Sequence, residues 1–210
     1  MDDNTILWPL FRWSHDKRTD YREYRAPFPF FIYGSGPDHL RVDFWPFYGY
    51  RQRGGYTRHF WLWPIGRYEH QTTEEYEDTR VWLLPLLWTH DRTYKDAEGK
   101  PTGEKDVKRH IWPLVRWESK RDGSADVRFP ALLWFSDPQW NFETILAPLW
   151  RLFRYQRDSE GYEELTLLLG LYHSQSSPKG EQRWDILGGL VGRSTSPAGD
   201  KTRLFWFLEF

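Results

Sequence analysis

The side chains of this chain that could do chemistry are seven histidines, scattered carboxylates and a lone Gly34-Ser35-Gly36 tripeptide. The histidines are His15, His39, His59, His70, His90, His110 and His173, and no two stand at the i, i+2 or i, i+4 spacing that presents two imidazoles to one metal. Most flank apolar blocks, and each reads as a solvated residue at a strand end. Carboxylates gather at Glu74, Glu75, Glu77 and Asp78, at Glu104 and Asp106, and at Glu163 and Glu164. A glycosidase pair drawn from two such groups would be an arbitrary choice. Gly34-Ser35-Gly36 lacks the flanks of a nucleophile elbow, and no phosphate loop, dinucleotide fingerprint or zinc spacing occurs. With zero cysteines, disulfides, thiolate ligands and a cysteine nucleophile are excluded. The residues thus assign no catalytic group, metal or cofactor, and the chain reads as a non-enzyme. An active site in the long 91–108 connection is the weakest alternative.

Aromatic side chains offer a second chemistry, stacking on sugars. Trp61, Trp63 and Tyr68 beside Glu69, or Trp134 and Trp140 beside Asn141, could form such platforms, although aromatics at a fixed repeat phase are more simply layers of a core. Trp140 lies outside that phase, so Trp140, Asn141 and Trp134 are the candidate ligand-binding residues of a glycan-binding module. Stacking on single-stranded nucleic acid is disfavoured, because the net charge is -1 and the isoelectric point is near 6.7.

The elements that must position these residues emerge from a repeat. Apolar blocks recur as LWPLF, PFPFF, FWPFY, LWPIG, LLPLL, IWPLV, RFPAL, LAPLW, LLGLY, ILGGL and LFWFL. Their centres are Pro9, Pro29, Pro46, Pro64, Pro85, Pro113, Pro130, Pro148, Gly170, Gly188 and Trp206, mostly 17 to 22 residues apart. Charge is almost confined to the segments between them: the eleven blocks hold one charged residue, Arg128. Of 14 Trp, all but Trp140 lie within four positions of a centre.

Each block is too short for a helix and rich in aromatic and branched residues, which predicts a strand. The connections carry turn residues such as Arg53-Gly54-Gly55 and Asp122-Gly123-Ser124. The expectation is one all-β domain over 1–210: an antiparallel up-and-down meander of about eleven strands, one per 18–20-residue repeat, closed or rolled into a barrel or sandwich, with a seam at 91–108. A parallel β-solenoid is the rival, but its coils need a more constant length. Pro or Gly at one phase would kink every strand along one line.

The blocks do not alternate apolar with polar. In Val81-Trp82-Leu83-Leu84-Pro85-Leu86-Leu87-Trp88 both sets of positions are apolar, so both faces of the sheet would need cover. A lipid bilayer or a protein subunit, including a second copy, would supply it. Two points oppose a conventional spanning barrel. The uncharged cores are shorter than the roughly 9–11 residues of a membrane strand, and central prolines would leave carbonyls unpaired in hydrocarbon.

The units Trp8-Pro9-Leu10-Phe11-Arg12, Trp112-Pro113-Leu114-Val115-Arg116 and the 165–174 segment resemble tandem aromatic-Pro-Leu-aromatic repeats of uncharacterised bacterial proteins. The resemblance implies a bacterial, repeat-built β protein and carries no site residues. The expected function is a non-enzymatic structural or assembly element of a bacterial cell envelope, with the outer membrane as one location. Its second apolar face would meet membrane or a protein partner, and no nucleic acid. The N-terminus shows no secretion signal.

Overall fold

The computed structural model describes residues 2–6, 10–132, 149–197 and 199–210. They form two units, Met1–Glu104 and Lys105–Phe210. The first holds β1 (Asp2–Ile6), β2 (Phe11–Asp16), β3 (Tyr21–Arg25), β4 (Phe31–Gly36), β5 (His39–Phe44), β6 (Tyr48–Arg53), β7 (Tyr56–Trp61), β8 (Gly66–Thr72), β9 (Tyr76–Leu83) and β10 (Leu87–Lys95). The boundary falls within β11 (Pro101–Ile111). The second unit continues with β12 (Val115–Ser119), β13 (Ala125–Phe129), β14 (Phe153–Arg157), β15 (Glu163–Leu167), β16 (Tyr172–Ser176), β17 (Gln182–Ile186), β18 (Val191–Ser196), β19 (Gly199–Leu204) and β20 (Leu208–Glu209). Within each unit neighbours in the chain pair antiparallel, which is the expected all-β meander.

The expected eleven strands are not what forms; the described residues hold twenty. Among the described residues the apolar blocks form turns and the charged segments between them form hairpins; residues 133–148 lie outside the described residues. From Pro46 to Pro64 the eighteen-residue step contains β6 and β7, six residues each, with Gly54-Gly55 reversing the chain between them and 62–65 reversing it after β7. The same period fits one long strand and a long loop, or two short strands and two tight turns. Proline decides for the second, because it has no N–H to give a ladder and sets its own φ near the turn value. Pro29, Pro46, Pro64, Pro85, Pro113 and Pro130 all follow cis peptide bonds in turns, and Gly170 and Gly188 occupy turns with φ of 89° and 64°. Pro9 and Pro148 lie outside the described residues. No described pairing closes a barrel, and the strands of each unit make their main contacts with chain neighbours, so the described residues of a unit show neither closure nor a second packed layer.

The strands themselves do alternate, contrary to the doubled apolarity expected of them. In β5, His39, Arg41 and Asp43 face one side and Leu40, Val42 and Phe44 the other. Register carries this across the first unit. Trp13, Tyr24, Tyr33, Val42, Tyr50, His59 and Tyr68 stand directly opposite one another in a row on the aromatic face. In the second unit Phe129, Phe153, Leu167, Tyr172, Ile186, Val191 and Leu204 form an unbroken apolar row beside the turns.

The other face is charged. Among the described residues the buried apolar side chains are Ile32, Phe60 and Ala131, while Glu23, Asp43, Glu69 and Asp78 are buried carboxylates. Arginines cover them: Arg25 and Arg41 bond Glu23, Arg41 Nε donates to Asp43 at 2.7 Å, and Arg67 pairs with Glu69. Phe60 is buried by lying on Gly49, its cross-strand partner, where a β-carbon would overlap the ring. Cross-strand pairs and the backbone ladder thus replace a conventional core.

Candidate functional site

The apolar blocks come together as one feature in each unit, a row of turns at the same end of the strands. The turn at 44–47 closes with Phe47 N–H donating to Phe44 O at 2.9 Å; Ile65 to Leu62, Leu86 to Leu83 and Leu114 to Ile111 repeat the bond at 2.8, 2.8 and 2.7 Å. Proline at the third position of these turns removes a donor that would otherwise point outward.

Successive turns are also bonded to each other. Trp45 N–H donates to Phe30 O at 2.7 Å, Leu62 N–H to Phe47 O at 2.8 Å, Trp63 N–H to Pro46 O at 2.8 Å and Leu84 N–H to Ile65 O at 2.8 Å. In the second unit Leu168 bonds Leu152, Leu187 bonds Leu171 and Phe205 bonds Leu190 in the same sense. The indole N–H groups of Trp112 and Trp206 reach the carbonyls of Leu132 and Gly188. Carbonyls expected to be left unpaired beside the prolines are therefore acceptors in a stitched rim, because the next turn lies within hydrogen-bond reach. Such a rim needs little from water.

Its side chains point outward. Phe47, Trp63, Leu86, Leu114, Leu168 and Trp206 are each 53–58% exposed, and Phe207 is 77% exposed. Phe30, Trp45 and Trp63 stand 6.1 and 6.2 Å apart, ring to ring, across three successive turns. Several rim residues adopt the left-handed region without being glycine: Leu62 (φ 46°), Leu168 (48°), Leu169 (64°), Leu187 (53°), Phe205 (52°) and Trp206 (66°). That conformation costs a non-glycine residue roughly 1–2 kcal/mol. Glycine would fit these positions with less strain, so the apolar side chains are retained against local stability, a pattern found where a residue serves something other than the fold.

Beyond the rim the chemistry is layered along the strands. Next come Tyr48, Trp61 and Tyr50 on the aromatic face, with His59 stacked on Trp61 at 6.1 Å. On the opposite face the first layers are arginine–carboxylate pairs, including Arg116 with Glu118 and Arg128 with Asp126. Farther still, Asp78 accepts from His90 Nε2 at 2.7 Å and Arg92 Nε at 2.9 Å. Burial pushes its carboxyl up, but those bonds and the charges of His90 and Arg80 outweigh it and hold it below the ordinary 3.8.

Most of the sequence-derived candidates do not assemble. Trp134, Trp140 and Asn141 lie outside the described residues. Trp61 and Tyr68 are on the aromatic face, whereas Glu69 is on the charged face and bonds Tyr56 and Arg67, so they form no common sugar platform. His110, expected to be solvated, is buried against Ala131 O because the 131 backbone crosses its strand end. The 91–108 connection is the end of β10, a turn and the start of β11. Among the described residues no three His, Asp or Glu converge as a metal site would require. The sequence reading missed that Arg41, Arg51 and Arg58 are lateral neighbours, a fact carried by register alone. No protein-family model matches the chain, and no curated protein matches it.

Proposed function

We propose that the protein is a non-enzymatic structural element of a bacterial cell envelope that lies on a lipid surface, with its row of apolar turns in the outer acyl region and its strands standing in the aqueous layer. The observation that carries this reading is the ordering along the strands: apolar, backbone-satisfied turns, then Trp, Tyr and Arg, then ion pairs, then polar turns. A water–bilayer interface has the same ordering of preferences. The turns recur every second strand, about 9.5 Å apart, so the apolar layer is a line that a fluid acyl surface accommodates readily. Each side chain such as Phe47 or Trp63 contributes about 1.5–3 kcal/mol on leaving water, and several acting together exceed the cost of association. Charged strands of mostly five or six residues support lying on the membrane over crossing it. No described helix is long and apolar enough to cross one.

The test is flotation of the full chain with phosphatidylcholine vesicles, followed by tryptophan quenching with lipids brominated at shallow and deep acyl positions. Co-flotation with stronger shallow than deep quenching is expected. A monodisperse monomer that stays at the bottom of the gradient overturns the reading, and a discrete oligomer that ignores vesicles transfers the rim to a second copy of the chain.

A further inference from the structure

The charged face holds a row of three arginines with an acid shortage at its centre. Arg51 stands directly opposite Arg41 on one side and Arg58 on the other. Directly opposed like charges repel, with β-carbons about 4.5–5.5 Å apart, so such a row needs compensation. The second unit shows how this sheet supplies it. There Arg116, Arg128 and Arg154 also stand opposite one another, and each has a partner two residues along its own strand: Glu118, Asp126 and Gln156. Of Arg41, Arg51 and Arg58 in the first unit, only Arg41 has such a partner, Asp43, and it also reaches Glu23; Glu69 stands opposite Arg58 but is bonded elsewhere. The positions two away from Arg51 are Gly49 and Arg53, and those from Arg58 are Tyr56 and Phe60.

The nearby carboxylates are already engaged. Glu23 accepts from Tyr21, Arg25 and Arg41, and Glu69 from Tyr56 and Arg67. No described residue bonds the guanidinium of Arg51, Arg53 or Arg58, and Arg51 Nε is out of solvent with no acceptor. Six arginines (25, 41, 51, 53, 58 and 67) thus face three carboxylates (23, 43 and 69).

Two hollows meet at this row. One, of about 280 Å³, is lined by Tyr21, His39, Arg41, Arg51, Arg53 and Tyr56 together with the engaged Glu23. The other, of about 310 Å³, shares Arg41, is lined also by Asp43, which Arg41 engages, and runs past Arg58 to Phe28, Trp45 and Trp63 of the apolar rim. The arginines sit three or four residues, about 10–13 Å, from the turns.

We infer that the Arg41–Arg51–Arg58 row is a binding site for a phosphate oxyanion, held by arginine forks from adjacent strands. Planar guanidinium groups suit the bidentate geometry of such an anion. The site stands on the arginine geometry alone. The hollow leading to the rim favours a phospholipid headgroup as the source of the phosphate, a preference that rests on the lipid-surface reading.

The experiment uses the full chain and two probes. In the first arm inorganic phosphate is titrated at constant ionic strength while the His39 ring is followed by NMR. Burial and the charges of Arg53 and Arg51 depress the His39 pKa, so an anion beside them raises it. A saturable rise is expected in the wild type, weakened at least about 10-fold in Arg51→Gln and unchanged in Arg193→Gln. Arg51→Lys, which keeps charge but loses the fork, is expected to fall between. In the second arm flotation is compared on vesicles of phosphatidylglycerol and on vesicles of an uncharged galactolipid. A headgroup source predicts that Arg51→Gln weakens only the first. Saturable phosphate binding with flotation indifferent to Arg51→Gln assigns the site to free phosphate. Absence of a saturable His39 response together with unchanged flotation of Arg51→Gln overturns the site. Failure of the rim reading looks different: the wild type then floats with neither vesicle while the phosphate titration still reports.

Discussion

The two ends of the strands reverse the chain by opposite chemical means. At the polar end a side chain satisfies its own turn: Asp16 accepts from Arg18 N–H and Thr19 Oγ1, Asp96 from the N–H groups of Glu98 and Lys100, and Asp158 from those of Glu160 and Tyr162. At the apolar end no carboxylate or hydroxyl is spent: the turns close on their own backbone and are linked backbone to backbone with the turns beside them, joined by the indole N–H groups of Trp112 and Trp206. These aspartate-capped turns carry their own acceptor and tolerate water, whereas the apolar turns present mainly hydrocarbon and rings and rely on backbone bonds to their neighbours. The strands of each unit are therefore chemically polarised along their length, which is the feature the proposed lipid-surface reading rests on.

The largest effect expected from breaking this contrast is on lipid binding. The triple change Phe47→Asp, Trp63→Asp and Leu86→Asp should lower vesicle affinity at least about 100-fold, because three side chains of about 1.5–3 kcal/mol each no longer enter the acyl layer. Lys100→Asp with Lys179→Asp in polar turns should leave flotation unchanged once matched for net charge.

Next in size is the anchor of the polar half. Asp78→Asn should lower unfolding free energy by about 2 kcal/mol in urea titrations, since it unpairs His90, Arg92 and Arg80 around a buried position while their partial exposure moderates the cost. The Asp78 carboxyl is depressed in the folded state, so its contribution is present above the ordinary 3.8 and is lost as pH falls through the lower folded value. Wild-type stability should fall in that acid range and the variant's should fall less steeply.

Leu62→Gly separates fold from function within the rim. Relief of the left-handed strain at φ 46° should leave stability equal or up to about 1 kcal/mol higher, while vesicle affinity drops about 10-fold. A parallel loss of stability would mean that Leu62 serves the fold. The smallest effect is expected at the polar end, where Asp96→Ala removes two acceptor bonds of an exposed turn and should cost no more than about 1 kcal/mol with no change in flotation.

The sequence alone determined the β class, the hairpin-like period near 18 residues and the separation of charge from apolarity, because these follow from residue type and spacing. It also marked the elements of the rim, since every apolar block was visible as a block. Which segments were strands was decided only by the tertiary structure. A stretch such as His39-Leu40-Arg41-Val42-Asp43-Phe44 looks loop-like by charge until the strand pleat puts Asp43 on the same face as Arg41 and register, across Gly34 of the intervening strand, sets Arg41 near Glu23. The prolines read as kinks in strands because composition does not show that the next turn offers their carbonyls a donor. The Arg41–Arg51–Arg58 row was invisible for the same reason: residues ten and seven positions apart become neighbours only when antiparallel pairing fixes who stands opposite whom.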